Sequence, residues 1–243
     1  HAVHGEANTT ELDGAIELAN AYPDIVMGVS VGNEVLVSWS FVPVPPEQMV
    51  GYIQYVRDRI GQPVTVNDNW EPYAAPVGSP RHSVWGQIDY ASIHTYAYWD
   101  AGFNLWEFRL EGVEPEGRDA AVIEAATDYA KANYRAVREA LSAGGIEIPI
   151  VIGETGWQTL PSATLGDAPE QAFAEVLASA DRQSRYYRSM RQWVYGEDGN
   201  DPGDGFERPA SLFYFSAFDE PWKEADDNWG LWDVDRTLKF PLP

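Results

Sequence analysis

Apolar and polar residues follow one another along the chain in blocks that predict strands alternating with helices. Residues 25–33 form a nearly continuous apolar run with several β-branched members, which is typical of a strand buried on both faces. Similar runs predict strands over 63–67, 89–98, 146–153 and 212–218. Apolar residues at helical spacing predict helices over 9–21, 46–60, 118–142 and 169–195. Five strands alternating with helices indicate an α/β fold with a parallel sheet.

No linker-like or low-complexity stretch divides the chain, whose 243 residues suit one domain of roughly 200–250 residues. We therefore predict a single domain over residues 1–243. One polar, turn-rich insert stands out at residues 198–205. A solvated loop is the favoured interpretation. A calcium loop is the alternative, although the alternating carboxylates and terminal Glu of an EF-hand are missing from this insert.

Composition narrows the classes of ligand. The 38 acidic and 16 basic residues give a net charge of −22, which argues against nucleic acid and anionic membranes as partners because polyanions require clustered Lys and Arg. No stretch approaches the ~20 consecutive apolar residues of a membrane span, so no membrane insertion is expected. The absence of Cys removes disulfides and thiolate sites. The basic residues are 13 Arg and only 3 Lys. Few Lys among many carboxylates indicate adaptation to high salt or, alternatively, an ordinary acidic secreted enzyme.

Carboxylates follow three of the predicted strands directly. Glu34 ends the stretch 31–34 (Val-Gly-Asn-Glu), and Glu154 lies in the stretch 153–157 (Gly-Glu-Thr-Gly-Trp). Asp219 and Glu220 follow the last predicted strand. In parallel barrels the carboxyl ends of the strands form the mouth of the active site, so these groups are expected to converge there. The alternative is that each carboxylate only caps the helix that follows it.

Two carboxylates among many Trp and Tyr side chains suit glycoside hydrolysis. One carboxyl group acts as general acid and the other as nucleophile or base, while aromatic faces stack on the apolar faces of sugars. The chain has 10 Trp and 13 Tyr, and neutral sugars fit its negative charge better than phosphates do. A separation of about 5–5.5 Å between the two carboxyl groups would mean retention of configuration, and a wider one inversion.

At these residues the chain resembles glycoside hydrolase family 17, which holds β-1,3-glucanases and related transglucosylases on a (β/α)8 TIM barrel. Residues 31–34 and 153–157 look like its two catalytic motifs. Residues 94–100 are similar to its strand-6 segment, and residues 218–223 and 228–231 to its strand-8 end and closing segment. The resemblance runs over nearly the whole chain and implies a retaining enzyme that cleaves β-1,3-glucan of the laminarin type.

The resemblance also implies roles for single residues. Glu34 would be the acid/base and Glu154 the nucleophile. Asn33 would hydrogen-bond the sugar 2-hydroxyl, and Tyr96 would position Glu154. His94 would orient groups beneath the site, or else be a hydrogen-bonded core histidine.

Further residues are expected to bind substrate around this pair. They are Trp99, Trp157 and Trp222 as sugar platforms, Asp219, and Glu220 with Lys223 as an ion pair at the cleft. Asn67, Asp68 and Asn69, at the end of the strand over 63–67, are additional cleft candidates. For each Trp the alternative is a place in the core, and for the ion pair it is a solvated surface position.

In this resemblance Glu34 follows strand 4 and Glu154 follows strand 7, so the chain carries barrel strands 4 to 8 without the first three βα units. An open arc of five strands would leave sheet edges unpaired. We therefore expect a longer protein whose first ~60–80 residues, from the usual barrel size, lie outside this sequence. A partner chain or a different packing that closes the barrel is the alternative.

The resulting expectation is a secreted or cell-envelope glycoside hydrolase that binds β-glucan polysaccharide or oligosaccharide and uses no cofactor or metal. A β-glucan transglycosylase with the same residues is one alternative, in which a sugar hydroxyl replaces water. A relative that acts on other β-glycans, such as β-1,4-glucans, is another. A non-catalytic glucan-binding protein is a fourth possibility, which the presence of both glutamates disfavours.

Overall fold

An α/β fold runs through the residues that the computed structural model describes, which are 6–100, 112–161, 177–196 and 208–242. Five strands form one sheet in the order β1-β2-β3-β4-β5. The strands are β1 (Val29–Asn33), β2 (Val64–Asn69), β3 (Ala91–His94), β4 (Ile150–Thr155) and β5 (Leu212–Tyr214).

Helices follow the strands along the chain. Those in the described residues are α1 (Glu6–Ala21), α2 (Pro46–Arg57), α3 (Trp70–Tyr73), α4 (His82–Trp85), α5 (Ala97–Asp100), α6 (Arg118–Ala143) and α7 (Ala180–Tyr195), with 3-10 turns at Pro115–Gly117 and Pro221–Asp226. Across these parts of the chain, no helix is both long and apolar enough to cross a membrane.

The sheet is parallel, as the sequence predicts. β1 pairs in parallel with β2, where Val29 aligns with Val64, and β2 pairs in parallel with β3. Backbone hydrogen bonds continue in the same sense from β3 to β4 and from β4 to β5, where Ile152 N donates to Ser211 O. The carboxyl ends of the strands therefore point the same way, and the residues just beyond them are the ones that can form a site.

The prediction of a strand over 25–33 is wrong at its start. The backbone amides of residues 25 and 26 both donate to Tyr22 O, so the chain is still turning there after α1. Ile25 and Met27 are largely exposed, although their apolar side chains resemble those of a buried strand. Pairing with β2 begins only at Val29.

Two further strands end earlier than the sequence predicts. The strand predicted over 89–98 ends at His94, because residues 97–100 turn into α5, where Asp100 N donates to Tyr96 O. The strand predicted over 212–218 ends at Tyr214. Conversely, β2 runs on to Asn69, two residues beyond its predicted end. The sequence pattern therefore does not show where sheet pairing stops when aromatic and polar residues lie at the end of a strand.

The longer helices follow the predictions closely. The helix predicted over 118–142 is α6, and its glycine stop is confirmed, since Gly145 adopts a left-handed φ of 73°. The helix predicted over 169–195 is confirmed from Ala180 onwards as α7, with Ser179 Oγ accepting from Arg182 N as the N-cap. The prediction of one continuous helix is wrong at 178–179, because the extended backbone of Ser179 interrupts it. Its residues 169–176 and the insert at 198–205 lie outside the described residues.

The chain divides into two compact units. The first unit comprises residues 1–94, 133–153 and 209–211, and the second comprises 95–132, 154–208 and 212–243. The core of the first unit includes Val31, Met49, Ile53, Val66, Ile93, Leu141 and Ile152. The core of the second includes Ala126, Ala130, Trp157, Tyr186, Met190 and Trp229.

Candidate active site

Glu34 has an unusual backbone conformation directly after β1 in the first unit. Its φ is 49°, in the left-handed region, and the nearby Gly32 has a φ of 93°. The Glu34 amide donates to Asn67 O, at the end of β2, over 2.9 Å. A left-handed φ costs a residue with a side chain about 1–2 kcal/mol. Surrounding contacts must therefore hold this turn, a situation that is common at functional sites.

The Glu34 carboxyl group has a protein partner on one side and remains accessible on another. His94 Nδ1, at the end of β3, lies 3.1 Å from Glu34 Oε1. The His94 side chain is fully buried, whereas 29% of the Glu34 side chain is exposed. A buried imidazole thus contacts an accessible carboxyl group. The predicted orienting role of His94 stays a prediction, with this contact in its favour. Asn33 is exposed beside Glu34.

Asp68, at the end of β2, is a fully buried carboxylate that ties down the segment after Glu34. Its Oδ2 accepts hydrogen bonds from Val35 N at 3.0 Å and from Leu36 N at 2.8 Å. Its Oδ1 accepts from Asn69 N at 2.8 Å. Together, Glu34, Asp68 and His94 form what we call the Glu34 cluster.

The protonation of Asp68 is set mainly by its burial. Desolvation raises the pKa of Asp68 to about 6, and the charge of Glu34 adds to this rise. Hydrogen bonds from the Leu36 and Asn69 amides and the charge of His94 act in the opposite direction. The sequence pointed to Asp68 only as one of three polar residues at a strand end, whereas the structure shows it to be the anchor of this turn.

The loop that follows Glu34 is anchored at its base and carries two exposed aromatic side chains. Val44 N donates to Val35 O at 2.9 Å, and an Arg81 guanidinium nitrogen donates to Leu36 O at 2.9 Å. At the tip, Trp39 is 54% exposed and Phe41 is fully exposed. Neither residue is among the sugar platforms predicted from the sequence, and their exposure becomes visible only in the structure.

Glu154, near the end of β4, belongs to the second unit. Tyr96 Oη donates to Glu154 Oε2 at 2.7 Å, and Thr95 N donates to Glu154 O at 3.0 Å. The contact between Tyr96 and Glu154 is the one that the positioning role predicted for Tyr96 requires. We call Glu154 and Tyr96, with the Trp229 ring that packs against Tyr96 at a centroid distance of 5.4 Å, the Glu154 cluster.

Gly153 and Gly156 lie on either side of Glu154, where there is little room for a side chain. A Cβ at Gly153 would collide with the hydroxyl of Ser92. A Cβ at Gly156 would collide with the carbonyl oxygen of Phe215 and approach the Trp229 ring. The backbone on both sides of Glu154 is therefore packed directly against its neighbours, so its position in the strand is closely fixed.

The three tryptophans predicted as sugar platforms have different environments. Trp222 is 73% exposed, and Trp99 is half-buried, with its ring 6.0 Å from that of Trp229. Trp157 is only 1% exposed, and its Nε1 donates to Leu177 O at 3.0 Å. Its ring packs against Tyr186 at 5.2 Å, so no face is left for a sugar. The platform prediction is therefore replaced by a core role for Trp157, which its place two residues after a strand did not reveal.

The residues after β5 form two ion pairs of different character. Lys223 Nζ lies 2.7 Å from Glu220 Oε2, so the two residues form an ion pair, and both side chains are partly exposed. The place of this pair at a substrate cleft stays a prediction. Lys239 Nζ lies 2.7 Å from Asp219 Oδ1, and these side chains are only 13% and 10% exposed. Asp219 Oδ1 also accepts from Gly230 N at 2.9 Å. This carboxylate thus has internal partners, and its role in sugar binding stays a prediction.

The predicted site residues are therefore observed in two groups of direct contacts. Glu34 contacts His94 in the first unit, and Glu154 contacts Tyr96 in the second. Within the ranges that the structure describes, no group of three or more His, Cys, Asp or Glu is placed to hold a metal ion. The arrangement offers two partly exposed carboxyl groups at strand ends, each with one oriented oxygen.

Comparison with known proteins identifies the class to which this fold and these residues belong. The profile of the BtgE/BtgC glycoside hydrolase domain matches residues 3–231. This match covers most of the chain, so the protein belongs to the BtgE/BtgC glycoside hydrolase family.

Individual relatives agree with this assignment. The chain is 24% identical, over 249 residues, to a glucan 1,3-beta-glucosidase of Arthroderma benhamiae, a match that covers 97% of this chain and 67% of the relative. A glucan 1,3-beta-glucosidase of Candida albicans is 23% identical over 160 residues, which cover 56% of this chain and 46% of the relative.

Two solved structures are also similar. An endo-laminarinase from Formosa Hel1_33_131 is 26% identical with a TM-score of 0.80, over 95% of this chain and 60% of the laminarinase. A family 17 beta-1,3-glucanosyltransferase from Rhizomucor miehei is 23% identical with a TM-score of 0.60, over 94% of this chain and 70% of that enzyme, a likeness that concerns the fold. The chain thus spans about three fifths of the length of the laminarinase.

Proposed function

We propose that the protein is a retaining β-1,3-glucan hydrolase of the glycoside hydrolase family 17 type, with Glu34 as acid/base and Glu154 as nucleophile. Its five parallel strands would correspond to strands 4 to 8 of a (β/α)8 barrel. The observation that carries the proposal is that each glutamate follows or ends a parallel strand with one oxygen held by a ring side chain, His94 for Glu34 and Tyr96 for Glu154.

In the proposed reaction Glu154 attacks the anomeric carbon while Glu34 gives its proton to the departing glycosidic oxygen. The carbon–oxygen bond to the leaving sugar breaks as the glycosyl–Glu154 ester forms. In the second step Glu34, now ionised, takes a proton from water, and the resulting hydroxide displaces Glu154 and restores both carboxyl groups. The hydrogen bond from Tyr96 to Glu154 Oε2 would orient the Glu154 carboxyl group for this attack.

The chain offers neutral surfaces suited to a glucan. Trp222 and Trp99 expose ring area, and Asn33 lies exposed beside Glu34, where its amide can meet a sugar hydroxyl. The similar proteins from Arthroderma and Formosa are a glucan 1,3-beta-glucosidase and an endo-laminarinase, which favours β-1,3-linked glucan as substrate. A secreted or cell-envelope location would give access to such a polymer.

Release of reducing sugar from laminarin, with cellulose and mixed-linkage glucan in parallel, tests the proposal. We expect laminarin to be cleaved fastest, and proton NMR during the first turnovers to show the β-anomer of the product first. Formation of the α-anomer first would refute the retaining mechanism. Faster cleavage of cellulose than of laminarin would refute the proposed preference for β-1,3 linkages. Products longer than a laminari-oligosaccharide substrate would identify transglycosylation, and binding without any sugar release would indicate a non-catalytic glucan-binding protein.

A further inference from the structure

We infer that Asp68 is a positioning residue for Glu34: it holds the turn after β1 so that the Glu34 carboxyl group faces the oxygen it must protonate. This inference rests on the proposed function, because it concerns the acid step of that reaction. Asp68 itself touches neither substrate nor reacting atoms and would act only through the backbone that carries Glu34.

The hydrogen bonds of Asp68 converge on the two residues directly after Glu34. Val35 N and Leu36 N both donate to Asp68 Oδ2, and Val35 and Leu36 are themselves buried. Two consecutive buried amides that point at one atom need a strong acceptor, and an ionised carboxylate oxygen is the best that a side chain offers. Without it, both amides would be left unpaired in the core.

This anchoring explains how Glu34 keeps its left-handed backbone. Glu34 N is held by Asn67 O on one side, and the next two amides are held by Asp68 on the other. Asn67 and Asp68 are neighbours on β2, so a single strand end holds three consecutive amides. The direction of the Glu34 side chain is then fixed by its own strained φ, and His94 needs only to orient the carboxyl group.

A second carboxylate that accepts from a backbone amide, the partly exposed Asp89, offers a control. Asp89 Oδ2 accepts from Val64 N at 2.8 Å, at the amino end of β2, and Asp89 pairs with Arg57 on the outside of the first unit. Asp68 and Asp89 thus both bind a backbone amide, at opposite ends of the same strand. Comparing their variants separates a positioning effect from a general loss of stability.

Replacing Asp68 with Asn should disturb the turn without changing the volume of the side chain. An amide has one acceptor oxygen, so if this oxygen serves Val35 and Leu36, the amide nitrogen faces Asn69 N, and a donor meets a donor. The opposite orientation sets a donor against both loop amides. Either way the turn loosens, and Glu34 loses its fixed direction.

The test compares kcat/KM for laminarin with kcat/KM for 2,4-dinitrophenyl β-laminaribioside. Dinitrophenolate leaves without protonation, so only laminarin needs a well-placed acid in the first step. For Asp68→Asn we expect the laminarin value to fall by about ten- to hundredfold more than the aryl glycoside value, since a small misplacement of a reacting group costs this much. For Asp89→Asn the ratio of the two values should stay that of the wild type.

A double-mutant cycle sharpens the test. In a Glu34→Gln background there is no acid left to position. Asp68→Asn should then not further change the ratio of kcat/KM for laminarin to kcat/KM for the aryl glycoside. If Asp68→Asn does not fold, Asp68→Glu serves instead, because it keeps the charge but displaces the oxygens. Equal losses on both substrates would overturn the inference while leaving the proposed function intact, whereas a wild type inert on both substrates would overturn the two together.

Discussion

Tyr96 donates its phenolic hydrogen to Glu154 Oε2 over 2.7 Å, and its ring packs edge-on against Trp229. Removing the hydroxyl with Tyr96→Phe keeps this packing and deletes one hydrogen bond to a charged group, worth about 1.5–3 kcal/mol. We expect kcat/KM on laminarin to fall by about ten- to hundredfold. Tyr55→Phe is the control, because Tyr55 donates to the Asp13 carboxylate at 2.6 Å on the helical surface of the first unit. Equal losses in both variants would contradict the role of Tyr96.

Chemical rescue can distinguish the two glutamates. Glu34→Ala should lose more than about 10²-fold in laminarin turnover but still form the glycosyl ester from a dinitrophenyl glycoside. Azide would then displace Glu154 and give a β-glycosyl azide. In Glu154→Ala, azide would attack the substrate directly and give the α-azide. Product anomers determined by NMR check the assignment, and the reverse pattern would exchange the two roles.

Trp157 and Trp222 should respond in opposite ways to replacement by Ala. Because Trp157 is buried, Trp157→Ala should cost about 3–5 kcal/mol of unfolding free energy. Trp222→Ala should change stability by less than about 0.5 kcal/mol and instead raise KM for laminarin about three- to tenfold through lost stacking. Urea unfolding and initial-rate kinetics on both variants check this. An unchanged KM in Trp222→Ala would show that Trp222 does not bind the substrate.

Burial of Asp68 makes stability depend on pH. Because the pKa of Asp68 is raised to about 6 by burial, the folded protein binds this proton more tightly than the unfolded chain does. The stabilisation that comes from binding this proton is therefore fully present below about pH 4. It is lost as pH rises through about 6, which lowers the free energy of unfolding by at most about 3 kcal/mol. Asn cannot titrate, so the stability of wild type relative to Asp68→Asn should fall across this range in urea unfolding. If the difference in stability between the wild type and Asp68→Asn does not change with pH, Asp68 does not have a raised pKa.

The two ion pairs after β5 should contribute very differently to stability. Lys239→Met leaves Asp219 buried with an uncompensated charge, which should cost about 3 kcal/mol or more. Lys223→Met breaks a pair that is partly exposed and should cost less than about 1 kcal/mol. Urea unfolding of the two variants side by side checks this, and similar losses would mean that solvent screens the Asp219 pair as well.

The sequence predicts the parallel α/β sheet because apolar runs and helical spacing are local signals. It predicts the ends of strands poorly where apolar or aromatic residues continue the strand pattern into a turn. Ile25 and Met27 are apolar yet exposed, and Ala97 and Tyr98 look like a strand continuation yet enter a helical turn. In both places hydrogen bonds within a turn replace the sheet pairing.

For the site, motifs identify Glu34 and Glu154 as candidates but not what holds them. The bond from Leu36 N to Asp68 joins residues 32 positions apart, and no periodicity encodes it. The Trp157 ring packs against Tyr186, a residue of α7 that comes 29 positions later in the sequence. Such contacts arise only once strands and helices pack, so their residues read as ordinary polar or aromatic positions in the sequence.

The collisions that a side chain at Gly153 or Gly156 would cause also limit how this protein can diversify. A mutational library over residues 153–156 would yield mostly inactive clones, since a side chain at Gly156 would collide with the Phe215 backbone and one at Gly153 would displace the Ser92 hydroxyl. The exposed loop residues Trp39 and Phe41 carry no such constraint. Variation in product length or substrate preference, in nature or by directed evolution, is therefore expected to accumulate in that loop while the β4 segment stays unchanged.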